Sequence, residues 1–113
     1  HAIEHSLSAI YDIAHGAGLA IVMPAWFGYH LKKDGPERLE KFGRAVWGTA
    51  GAEETVAAFE KWFGKIGAPA RLSEAGIPAA DIPKIAANAM GVIKLWGMDY
   101  DKETVEEILT AAR

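Results

Sequence analysis

His1-Ala2-Ile3-Glu4-His5 and, a little further on, Asp12-Ile13-Ala14-His15-Gly16-Ala17-Gly18-Leu19-Ala20-Ile21-Val22-Met23-Pro24-Ala25-Trp26-Phe27 hold three of the four histidines and the longest apolar run of the chain. His1 and His5 are four residues apart, so a helix places them one turn apart on one face. A helix running straight on would carry His15 about 21 Å from His1, too far for the imidazoles to meet. Their convergence requires the helix to break and reverse. Gly16 and Gly18 are cheap places for that break, and His15 is expected in a loop or at a helix start. From Ala17 to Phe27, Leu19, Ile21, Val22, Met23, Trp26 and Phe27 cover every side of a helix, which predicts burial with neighbours all round. This run is well short of the roughly 20 residues that cross a bilayer, and Pro24 is a candidate kink.

The rest of the sequence is punctuated as helices. After Lys33-Asp34-Gly35, Pro36 stands at a favoured first helical position, with Leu39, Phe42, Ala45 and Val46 following at spacings of three and four. Gly48-Thr49-Ala50-Gly51 interrupts, and Val56, Phe59, Phe63 and Ile66 mark the next stripe, which stops at Gly67 with Pro69 beyond. Ser73 and Glu74 open a short turn towards Pro78. Asp81 is placed to cap Ile82-Pro83-Lys84-Ile85-Ala86-Ala87, where Pro83 is tolerable only in a first turn. Asp101-Lys102-Glu103-Thr104 has the form of an N-cap and acidic first turn ahead of Val105, Ile108, Leu109 and Ala112. No segment alternates as a strand does, so the expected fold is all-α, a helical bundle around one hydrophobic centre.

With 113 residues, half of them apolar, the chain has the size of one domain. Twelve Lys and Arg are interspersed with fifteen acids for a formal charge of −3, which gives nucleic-acid binding no electrostatic support. The absence of cysteine excludes disulfides, thiolate metal sites and a thiol nucleophile, and is compatible with a cytoplasmic location. No membrane segment is expected.

Gathered imidazoles point to a metal, against the bland alternative of ordinary polar histidines on a helix and a loop. A site normally takes at least three protein ligands, so a cluster starting at residue 1 predicts further ligands upstream and a chain that is part of a larger protein. His1-Ala2-Ile3-Glu4-His5 also matches H-x-x-E-H, in which both histidines hold zinc and the glutamate activates water. That reading needs a downstream acidic ligand, for which Glu74 is a poor nominee, and it leaves His15 without a role. A non-catalytic helical interaction module is the third alternative. Trp26, Phe27, Tyr29, Trp47, Trp62 and Trp96 read as core or domain-contact aromatics, Tyr11 as a packed helix tyrosine near the histidine loop, and His30 as a residue near a helix C-terminus facing its dipole.

The first thirty residues carry His1, His5, Leu7, Ala9, His15-Gly16, Ala20 and Pro24 in the order and spacing of a known signature. The stretch resembles the iron-containing (group III) alcohol dehydrogenases, in their butanol dehydrogenase and aldehyde reductase branch. Weaker similarity continues through residues 36–48, 63–78, 81–90 and 103–113. The resemblance implies that residues 1–113 are the C-terminal helical domain of a two-domain enzyme, truncated on its N-terminal side and lacking the nucleotide-binding domain. It implies a divalent metal, iron foremost and zinc as the alternative, held by an aspartate and three histidines. His1 and His15 match two of these ligands, and the other two belong to the absent upstream helix. His5 matches a non-ligand histidine beside the nicotinamide of NAD or NADP and the substrate, where it relays a proton or orients the alcohol or aldehyde. Glu4 then becomes a surface residue or one behind the ligands, not a base. The implied reaction is hydride transfer between NAD(P) and a primary alcohol or aldehyde in a homo-oligomer, with the 113 residues inactive by themselves. Separately, a helix apolar on every side and without its upstream neighbours leaves apolar surface exposed, so the isolated residues are expected to self-associate.

Overall fold

The computed structural model describes residues 1–113 and contains six α-helices and no strand. Helix α1 spans Ala2–Tyr11, α2 His15–Asp34, α3 Glu37–Val46, α4 Ala52–Lys65, α5 Ile82–Leu95 and α6 Lys102–Ala111, with 3-10 turns at Ser73–Ala75 and Ala79–Asp81 between α4 and α5. The all-α expectation holds. No helix is long and apolar enough to cross a membrane.

The reversal after α1 is where the histidine spacing requires it, but glycine does not make it. Asp12 takes the left-handed conformation at φ 53° and its N–H donates to the Ser8 carbonyl at 3.0 Å. Aspartate tolerates this region better than most side chains, so the turn is made by Asp12, Ile13 and Ala14. Gly16 and Gly18 lie inside α2, of which His15 is the first residue. Helix α2 continues through a buried Pro24 to Asp34.

Other boundaries shift for local reasons. Pro36 is the residue before α3 rather than its first member. Helix α5 runs on to Leu95, well past Ala87. Asp101 caps α6 as its sequence suggests, accepting the Thr104 N–H at 2.8 Å, and this bond holds its carboxyl below the usual range. Asp81 makes no such cap bond to α5. It accepts instead the Tyr11 hydroxyl at 2.6 Å, which ties the end of α1 to the start of α5.

The main core lies where α1, α2, α5 and α6 meet, with Leu7, Ile21, Ile85, Ile93, Val105 and Leu109 among its buried members. The connection after α4 contributes Leu72 and Ile77, both buried. Leu72 donates its N–H to the Ala112 carbonyl at 2.8 Å, and the Arg71 guanidinium donates to Ala111 at 2.9 Å. These bonds satisfy carbonyls that the end of α6 leaves free.

This main core is the single buried centre expected, and beside it a partly exposed aromatic cluster forms where α2, α3 and α4 meet. Phe59 stacks on Phe42 at 5.2 Å, meets Trp47 edge-on at 4.6 Å and packs on Phe27 at 4.8 Å between ring centroids. Helix α2 is thus shared between two apolar clusters, which accounts for its lack of a polar face. It is not covered all round: Leu19, Met23, Trp26 and Phe27 are only partly buried. Trp62 and Trp96 are not core residues, being 45% and 50% exposed.

Burial and the bond to Asp81 push the Tyr11 phenol up to about 12. The folded state thus binds the phenolic proton more tightly than the unfolded chain. Stability from this group is fully present below the ordinary tyrosine range near 10 and is lost as pH rises through 12. The melting temperature of the wild-type chain should therefore fall more steeply between pH 10 and pH 12 than that of Tyr11→Phe. Parallel alkaline limbs would contradict the coupling.

Candidate metal centre

Helix α1 and the first turn of α2 bring three imidazoles together. His1, immediately before α1, and His5, one turn along it, both face His15, with ring centroids 5.4 Å and 5.6 Å away. The reversal at Asp12 is what makes this convergence geometrically available. His5 is also edge-on to the Trp96 indole at 5.3 Å, so the turn after α5 forms part of the wall. His1 is exposed, His5 half-buried, and the His15 side chain 50% exposed.

Glu4 belongs to this group, and it is not a surface residue: it is 0% exposed. One carboxyl oxygen contacts His15 Nδ1 and the other accepts the Ser8 hydroxyl at 2.5 Å. Ligand atoms of Glu4, His5 and His15 lie within 4.8 Å of one another. The carboxyl rests against the first turn of α2, which has no acidic residue and no side-chain cap of its own, and where a negative group is favoured. Acids are among the residues least often fully buried, which is why periodicity alone missed its place.

Glu74 is elsewhere, in the turn after α4, where its carboxyl accepts the Ala70 N–H at 2.7 Å. His30 is also outside the cluster. Rather than facing only the helix dipole, it contacts the Asp34 carboxyl through Nδ1 and the Tyr100 hydroxyl through Nε2 at 2.7 Å. Trp26 Nε1 donates to the same hydroxyl at 3.1 Å. This chain pins the segment before α6 onto α2.

A cavity of about 310 Å³ opens beside His1, lined chiefly by apolar side chains including Ile3, Val22, Trp26, Ile93 and Trp96. A larger one, about 640 Å³, lies among α2, α3 and α4 between Phe27, His30, Arg38 and Phe42, and none of the three clustered histidines lines it.

The arrangement is that of an all-helical domain that gathers three imidazoles and a buried carboxyl where α1 meets α2. The family model for the C-terminal region of Fe-containing alcohol dehydrogenases matches residues 1–113. The chain belongs to the Fe-containing alcohol dehydrogenase family. It is 36% identical over 97 residues to NADH-dependent butanol dehydrogenase A of Clostridium acetobutylicum, covering 80% of this chain and 25% of that protein. The crystal structure of NADH-dependent butanol dehydrogenase A from Thermotoga maritima superimposes with a TM-score of 0.91 at 43% identity, over 99% of this chain and 32% of that one. The NADPH-dependent aldehyde reductase YqhD of Escherichia coli is 30% identical over 92 residues, 75% of this chain and 23% of the reductase. The chain thus spans a quarter to a third of these relatives.

Proposed function

We propose that the chain is the helical domain of a metal-dependent alcohol dehydrogenase that moves a hydride between NAD(P) and a primary alcohol or aldehyde. In this reading His1 and His15 are metal ligands, His5 stands beside nicotinamide and substrate, and the remaining ligands and the nucleotide-binding domain come from outside these residues. The observation that carries it is the convergence of His1 and His5 on His15 in a chain whose relatives are named as NADH- and NADPH-dependent enzymes.

The residues fit the metal. Imidazole suits iron, zinc and other divalent ions, and the contact of His15 Nδ1 with Glu4 leaves the Nε2 lone pair available to an ion. A bound divalent ion would supply Lewis acidity where negative charge develops on the substrate oxygen during hydride transfer. The protein's own work is to orient and to exclude water. The apolar cavity beside His1 offers the hydrocarbon part of the substrate a wall of Ile3, Val22 and Trp96. His5, packed between His15 and Trp96, is placed to hold or pass a proton at a ring nitrogen.

The test is metal removal from the intact enzyme. Aldehyde reduction with NADH or NADPH should be lost on chelation and return on adding Fe²⁺ or Zn²⁺. Undiminished turnover by protein shown to be metal-free by mass spectrometry would sink the reading.

A further inference from the structure

We propose that Glu4 is the positioning residue for His15, and that Ser8 and Gly18 exist to hold Glu4 in place; the inference rests on His15 being a metal ligand. A half-exposed histidine at the first position of a helix is not held by packing. Left to water, its ring would exchange tautomers and turn about both side-chain torsions. The structure supplies a fixed partner, a fully buried carboxyl in contact with Nδ1. Binding an ion through Nε2 requires the ring proton on Nδ1, and the Glu4 carboxyl in contact there is placed to receive it, so one nitrogen and one ring orientation would be presented to the ion.

Glu4 is itself constrained from two sides. Ser8, one turn further along α1, donates to its second oxygen at 2.5 Å and also lies 3.1 Å from the Ile13 carbonyl, in the turn that delivers His15. The hydroxyl proton is shared between these acceptors, which couples the carboxyl to the reversal. Gly18 also leaves room for the carboxyl that no other residue could leave: a Cβ there would stand 2.5 Å from Glu4 Oε1 and 2.7 Å from its Cγ. Gly18 is needed for space, not for a turn. Ser8 engages one oxygen of Glu4, while the other, in contact with His15 Nδ1, makes no hydrogen bond.

The test uses the intact enzyme stripped of metal, with Zn²⁺ affinity read by competition with a chromophoric chelator and the His15 tautomer by ¹⁵N NMR. Glu4→Ala should weaken zinc binding by about 10- to 100-fold and release the Nδ1-protonated tautomer. Glu4→Gln retains an acceptor for Nδ1, so it should keep the tautomer and lose affinity by less than Glu4→Ala. Gly18→Ala, which leaves all the polar groups intact, should reproduce part of the Glu4→Ala loss by displacing the carboxyl. His15→Ala is the reference. If it keeps wild-type zinc affinity, the assignment of His15 as ligand fails. If it loses zinc while Glu4→Ala keeps both affinity and tautomer, only the positioning role fails. A Glu4→Gln loss as complete as that of His15→Ala would make Glu4 a ligand and overturn positioning.

Discussion

In the intact enzyme, His5→Ala should retain near wild-type metal content while turnover falls by about 10²- to 10⁴-fold, whereas His1→Ala and His15→Ala should lose metal and activity together. The difference follows from the role proposed for each ring. A methyl group cannot rebuild a ligand bond, so removing a ligand is first a binding defect. A group that carries or places a proton contributes to the barrier without holding the ion, and the expected loss is that of a general acid or base. Metal analysis by mass spectrometry beside steady-state aldehyde reduction separates the two outcomes. Geometry makes the experiment necessary: the ring centroids of His1 and His5 stand almost equally far from His15, but the ligand atoms that lie within 4.8 Å of one another are those of Glu4, His5 and His15, without His1. If His5→Ala loses its metal and His1→Ala keeps it, the two roles are exchanged. Should all three variants keep both metal and activity, the proposed site is wrong.

The parts of this fold that were legible beforehand are those whose signal is local and periodic. The stripe Leu39, Phe42, Val46 and the acidic start at Asp101 required only spacing and capping chemistry, and α3 and α6 lie close to where those cues put them. The extent of α5 was underestimated because Gly91 weakens its pattern without ending it. The parts that were not legible depend on distant partners. Asp81 has the chemistry of a cap, but Tyr11, seventy residues away, takes its carboxyl. Leu72 and Ile77 are buried from a connection with no period at all, because the end of α6 gives that connection hydrogen bonds.

The candidate site shows the same division. That the histidines had to converge through a reversal was readable from their numbers, and the reversal is there. Which residues make it was not. A glycine advertises conformational freedom and spatial economy in the same letter, and only a packed neighbour tells the two apart. Asp12 made the turn because the Ser8 carbonyl receives its N–H, while Gly18 serves the carboxyl packed against it. The full burial of Glu4 was not legible, because charge argues for solvent until a partner is seen.

Gly43→Ala should destabilise the chain by about 1–3 kcal/mol, although alanine at an ordinary helical position is better than glycine by about 1 kcal/mol. Gly43 lies in α3 facing α4, and a Cβ built there would stand 1.9 Å from Thr55 Oγ1 and 2.1 Å from Thr49 Oγ1. Neither hydroxyl is free to move. Thr55 is fully buried, with Oγ1 donating to the Gly51 carbonyl at 2.9 Å and meeting Thr49 Oγ1 at 2.7 Å. The Gly43 carbonyl is also committed, accepting the Trp47 N–H at 2.9 Å and the Thr49 N–H at 3.2 Å. A methyl group must either separate α3 from α4, opening the aromatic cluster around Phe59, or break the pair of threonine hydroxyls. Gly64→Ala and Gly91→Ala are the controls: both glycines are in helices, and a Cβ at either meets nothing within 4 Å. They should stabilise by about 0.5–1 kcal/mol. Urea midpoints measure all three, and the opposite signs are the discriminating result. Adding Thr55→Ala to Gly43→Ala should cost less than the sum of the single changes, because the second truncation makes room for the first. Strict additivity would place the cost of Gly43→Ala somewhere other than this contact.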